Sequence, residues 1–154
     1  MISKAGLVLT AKHVVPERTP SPIIVATIDG RPYVLSIVKR SPTKDAALLR
    51  IAGAPSDLRP APIRRATAVV GEPIFVLGYP FGLPDAHMVD GIVSAKPGDD
   101  LTTNSAINQV NSGGPVVDAA VCAIGIVYSG IESVGGVPVA GASGMTARGR
   151  PLVV

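Results

Sequence analysis

The sequence predicts an all-β protein, and three observations predict it. Apolar residues come in short runs of four to eight, Val- and Ile-rich, with no long stretch at helical period. There are 17 glycines and 15 prolines among 154 residues, about one in five against an average nearer 12%. They fall between the apolar runs without a period, which reads as turns between strands of a sandwich or barrel. Hydrophobic residues make up 47% of the chain, enough for a core. With 3% aromatics and no Trp, that core is aliphatic.

Each element follows in order. Leu7 to Thr10 reads as a strand, and Thr10 to His13 breaks into a short turn that Pro16 ends. Residues 16–22 are a proline-rich loop. Ile23 to Ile28 and Tyr33 to Val38 are strands of a hairpin turned by Asp29-Gly30. Residues 41–45 form a turn that delivers Asp45 to the mouth of the next strand, Ala46 to Ile51. Three prolines and few hydrophobics make 55–65 a linker, so a lobe 1–54 and a lobe 66–154 together form a single domain over 1–154.

The second lobe starts with strand character at 68–70 and 73–78, around a turn at Gly71-Glu72. Tyr79 to Pro84 is a rigid loop. Met88 to Ala95 is a strand, with Gly91 as a bulge signal. Residues 96–100 are a short polar loop, and Thr102 to Ile107 leads into Asn108-Gln109-Val110-Asn111-Ser112-Gly113-Gly114-Pro115. Val116 to Asp118 and Val121 to Ser129 are strands joined by a hairpin. Val137 to Val139 is one further apolar stretch, and the tail after Met145 carries no signal.

Composition excludes several functions. The net charge is +3 with scattered Lys and Arg and no aromatic interleaving, which argues against nucleic-acid binding. There is no apolar run long enough for a transmembrane helix and no visible signal peptide, so no membrane role is expected and the default compartment is the cytoplasm. Cys122 is the only cysteine. Its apolar run suggests a buried structural thiol. The glycine-rich stretch 135–144 lacks a following helix, which argues against nucleotide binding.

One stretch calls for chemistry. Ser112 stands before two glycines and a proline, where a sharp turn exposes a hydroxyl and frees main-chain N–H groups. Serine alone is a poor nucleophile and needs a base and an orienter. Of the two histidines, His13 ends a strand, whereas His87 lies in a polar loop and reads as solvated. Of the eleven acidic residues, Asp45 stands out at the entrance to an apolar strand, where a carboxylate is costly without a hydrogen-bond donor. An imidazole N–H is such a donor. Asp29 and Asp118 read as turn residues.

Leu-Thr-Ala-Lys-His-Val-Val, Lys-Asp-Ala-Ala-Leu-Leu-Arg-Ile, Gly-Tyr-Pro-Phe-Gly-Leu, Gly-Ile-Val-Ser-Ala and Ala-Ile-Asn-Gln-Val-Asn-Ser-Gly-Gly-Pro occur in that order. Together they resemble the trypsin-like serine peptidases of the HtrA/Deg type, from about Gly6 to Ser129. The resemblance implies a chymotrypsin-like double β-barrel and a serine endopeptidase acting on polypeptides without metal or organic cofactor. It implies His13 as base, Asp45 as orienter and Ser112 as nucleophile. The oxyanion hole would use the N–H groups of Val110 and Ser112. Ala106 would floor the specificity pocket, favouring small or aliphatic side chains. The strand containing Ile126 and Val127 would pair with the substrate.

Two departures define an alternative. The family has Gly where Val110 stands, and a β-branched residue resists positive φ. The family also has one more strand before His13, so the first barrel is expected to lack its N-terminal strand, which leaves three readings: a start further upstream, self-association through the open edge, or a marginally stable lobe. Both would suit a weak or inactive peptide-binding module, or a truncated peptidase.

Overall fold

A computed structural model describes residues 1–17, 24–28, 30–79, 85–107, 111–130, 133–134, 137–138 and 145–148. The chain divides into two units, Met1–Ala61 and Pro62–Val154. No α-helix occurs among the described residues, and none of their helices is long and apolar enough to cross a membrane.

The first unit is an open antiparallel sheet in the order β1-β4-β3-β2. These strands are β1 (Leu7–Thr10), β2 (Ile24–Ile28), β3 (Arg31–Arg40) and β4 (Ala47–Ile51). Alternation sets the faces: Ala47, Leu49 and Ile51 of β4 are buried, while Arg50 points to solvent. They join Val15, Leu35 and Leu58 in one aliphatic cluster. Ile28 pairs with Arg31 across the β2–β3 turn, where Gly30 adopts a φ of 76°. On the opposite face, Val25 and Val34 are cross-strand partners and both are exposed. The 16–22 loop lies largely outside the described residues.

The second unit is a closed barrel in the order β12-β7-β6-β5-β8-β9. It comprises β5 (Pro73–Gly78), β6 (His87–Ala95), β7 (Asp100–Thr103), β8 (Pro115–Asp118), β9 (Ala123–Gly130) and β12 (Met145–Arg148), with the small hairpin β10 (Ser133–Val134) and β11 (Val137–Pro138) between the last two. Ile74, Val76, Val93, Leu101, Val116 and Val127 fill its interior. The segment 55–65 divides at Ala61: Leu58 is buried in the first unit, while Pro62 and Arg64 exchange backbone hydrogen bonds with Ala123 in the second.

Three expectations are corrected. Residues 68–70 are not a strand. The Glu72 carboxylate accepts the Val69 N–H at 3.0 Å and the Gly71 N–H turns to the Val93 carbonyl, which curls the chain into β5. Cys122 is half-buried rather than core, because the β8–β9 turn ends at this residue. Both the Ala120 and Cys122 N–H groups donate to Asp118 Oδ1 at 2.9 Å, and Val121 takes a φ of 60°. The tail after Met145 holds β12, which pairs with both β7 and β9 and closes the barrel.

Candidate active site

His13 sits on a single 3-10 turn, Lys12–Val14. Buried Ala11 and Val15 pin the turn at both ends and leave the imidazole at the rim. Asp45 closes the turn 42–45, with Ala46 between it and β4. Its two oxygens accept from the same residue. Asp45 Oδ1 takes the His13 backbone N–H at 2.9 Å, and Oδ2 lies 2.5 Å from His13 Nδ1. A carboxylate only accepts, so Nδ1 carries the shared proton and Nε2 is left as the basic nitrogen. The Asp45 side chain is 26% exposed and that of His13 48%.

The surrounding loops are tied by polar contacts. Lys12 Nζ donates to the Ser41 carbonyl at 3.3 Å, and the Lys44 N–H to Ser41 Oγ at 3.1 Å. The Arg40 guanidinium donates to the Val15 and Pro16 carbonyls. Sequence reading missed Arg40 and Lys12, because a lone cation in a turn has no pattern until its acceptors are located.

Ser112 belongs to the second unit, half-buried in the turn before β8. The next residue, Gly113, has a φ of 83°, a conformation that bulkier residues resist. Two hydrogen bonds clamp this turn to β9: Gly113 N–H to the Val127 carbonyl at 2.7 Å, and Val127 N–H to the Gly114 carbonyl at 2.9 Å. Gly114 has no room for a Cβ because the Leu77 carbonyl occupies the place. Asn111 is buried, with its side chain against Gly78.

Ala106 is exposed and follows buried Ser105, whose hydroxyl pairs with Thr103 Oγ1 at 2.8 Å. The Ser105 carbonyl takes the Ile107 N–H. Gly91 lies against this bend, where any Cβ would strike Ser105 Oγ. Ile126 pairs with Pro115, and the Val127 side chain is fully buried. Val110, expected in the oxyanion hole, lies outside the described residues, as does most of the Tyr79 to Pro84 loop. His87 is exposed at the start of β6. Among the described residues no group of three or more His, Cys, Asp or Glu side chains is placed to hold a metal.

The second unit also holds an ionic cluster that no motif announced. Arg64 binds both Glu72 and, at 3.1 Å, Asp118 Oδ2. Hydrogen bonds from Arg64 hold the Glu72 carboxyl below its usual range. The Cys122 N–H, and then Arg64, do the same for Asp118. The two carboxylates in turn raise the Arg64 guanidinium further. Asp118 therefore does more than turn a hairpin.

Two lobes of antiparallel strands, with a His–Asp pair in one and a serine turn in the other, define the class: the chymotrypsin-like double β-barrel. A serine endoprotease structure from Yersinia pestis aligns over 97% of this chain and 51% of its own, with a TM-score of 0.81 and 28% identity. The HtrA-type protease AlgW with decapeptide aligns with a TM-score of 0.79, also at 28% identity, over 97% of this chain and 46% of its own. Residues 1–126 match the trypsin-like peptidase domain, and the chain belongs to that family, among its HtrA-type serine peptidases.

Protease Do-like 1, chloroplastic, of Arabidopsis thaliana is 35% identical over 136 residues, spanning 80% of this chain. Serine protease PepD of Mycobacterium tuberculosis is 32% identical over 149 residues, spanning 82%. The chain spans only 30% and 32% of the lengths of these two relatives.

Proposed function

We propose that this chain is the peptidase domain of a serine endopeptidase, in which His13, Asp45 and Ser112 act as one triad. The observation that carries the reading is the double acceptance of His13 by Asp45, through its N–H at 2.9 Å and Nδ1 at 2.5 Å. Two bonds from one carboxylate set both the position of the turn and the tautomer of the ring. That is the work an orienter does for a general base.

In the proposed reaction, Ser112 Oγ attacks the scissile carbonyl and His13 Nε2 takes its proton. The imidazolium that forms is stabilised by Asp45. His13 then gives the proton to the leaving amine, and water repeats the sequence on the acyl-enzyme. The N–H groups of Ser112 and Val110 are assigned to the oxyanion. A Gly113 φ of 83° supports so sharp a bend at the nucleophile. Ala106 is assigned to the floor of the specificity pocket, and the β9 strand containing Ile126 and Val127 to pairing with the substrate. The clamp between Val127 and Gly113–Gly114 supports that neighbourhood. A methyl side chain at the floor suits small or aliphatic residues and offers no counter-charge to basic ones.

A fluorophosphonate probe tests the reading. The wild type is expected to label, and Ser112→Ala and His13→Ala are expected not to. Equal labelling of Ser112→Ala, or no labelling of a folded wild type, rejects it in favour of a non-catalytic peptide-binding module.

A further inference from the structure

Arg40 ends β3, so its main chain runs directly into the loop that carries Asp45. Its side chain reaches the other partner's segment. Nη1 donates to the Val15 carbonyl at 3.2 Å and Nη2 to the Pro16 carbonyl. Those two residues immediately follow the turn that carries His13. One residue thus spans the His13–Asp45 pair, holding one side through the backbone and the other through the guanidinium.

Apart from its buried flanks Ala11 and Val15 and the Asp45 bonds, the His13 turn has little of its own to hold it. None of Lys12, His13 and Val14 is buried, and no side chain caps the start of the turn. Val15 leaves it in extended geometry, as a residue before proline must. Val15 is buried and outside any sheet, so its carbonyl requires a donor from elsewhere. A guanidinium offers two donors in a fixed plane, matched to neighbouring carbonyls, whereas an ammonium is a point donor on a flexible stem.

We propose that Arg40 is a positioning residue for the catalytic base: it fixes the exit of the His13 turn relative to the Asp45 loop and thereby keeps the Nδ1–carboxylate bond short. The inference rests on the reading of His13 and Asp45 as base and orienter. It concerns a residue that touches neither substrate nor reacting atoms.

Arg40→Ala and Arg40→Lys test it beside Ile28→Ala, a truncation in β2 of the same sheet that reports a loss of stability alone. Two quantities are read: kcat and KM on a peptide ester, and the low-field proton resonance of the His13–Asp45 bond. Arg40→Ala is expected to lower kcat about tenfold at unchanged KM and to broaden the resonance, with Arg40→Lys between it and wild type and Ile28→Ala near wild type, all at a temperature where every variant is folded. A kcat within about twofold of wild type with a sharp resonance overturns the proposal. So does an equal kcat loss in Ile28→Ala. A folded wild type without turnover, whose resonance nonetheless responds to Arg40→Ala, sustains the positioning role and rejects the peptidase reading.

Discussion

The side-chain oxygen of Asn111 fills the place where a Cβ on Gly78 would stand. The residue before the proposed nucleophile therefore rests on the bare end of β5. One step along, the Leu77 carbonyl fills the place of a Cβ on Gly114. The serine turn is seated on β5 at two points: backbone excludes a Cβ at Gly114, and a Cβ at Gly78 must push aside the buried Asn111 side chain.

Gly78→Ala pushes on the buried Asn111 side chain and is expected to move Ser112 through it. A displacement near 1 Å at a reacting group lowers rate on the order of 100-fold. The second-order rate of phosphonylation measures this. In an Asn111→Ala background the nearest remaining contact is the Asn111 Cα at 3.4 Å, an ordinary distance. Adding Gly78→Ala there is expected to change little, and equal losses in both backgrounds would refute the seating.

Asp45→Asn preserves an acceptor for the His13 N–H but replaces the Oδ2 acceptor with a donor. The imidazole then takes the opposite tautomer, with its proton on Nε2. A kcat loss of about 10,000-fold is expected without a change in melting temperature, by the logic of a Ser-His-Asp triad. A loss of only a few-fold would remove Asp45 from the mechanism.

Arg64→Met leaves Glu72 and Asp118 facing each other without their cation. Breaking a largely buried ion cluster in this way costs about 3 kcal/mol, or a fall in melting temperature of about 6–12 °C for a domain of this size. Calorimetry reads it directly. An unchanged melting temperature would show the cluster to be energetically idle.

The same cluster makes stability depend on pH, and the sign follows from the direction of the shifts. Both carboxyls are held low in the folded protein. Their contribution is complete above the unfolded values, near 4, and is lost as pH falls through the lower folded values. Wild type should lose melting temperature steeply in that acid window. Arg64→Met should lose less, because the Glu72 shift depends first on Arg64. The Asp118 shift, set first by the Cys122 N–H, should persist. Parallel acid slopes in the two proteins would contradict this assignment.

Val110→Gly tests the oxyanion hole. By the resemblance, glycine at this position lets its N–H turn towards the developing charge, and one such donor is worth about 100- to 1000-fold. A rise in kcat at constant KM is expected. An unchanged or lower kcat would show that valine already serves.

Much of this protein was determined by its sequence. The inward pattern of β4 at Ala47, Leu49 and Ile51 follows from period-two burial, and the bend at Gly30 follows from glycine's freedom at positive φ. The candidate triad is drawn from local surroundings alone: a hydroxyl before two glycines, a carboxylate at the mouth of an apolar strand. Tertiary structure alone decided the rest. β12 carries no periodic signal of its own, and it is a strand because β7 and β9 offer it two edges. Residues 68–70 look like a strand, yet the Glu72 carboxylate takes the N–H that a ladder would need. Arg64 finds Asp118 54 residues away, and Arg40 finds the Val15 carbonyl 25 residues back. Such partners share no local pattern, because a long side chain's hydrogen bond depends on where the backbone has already been placed.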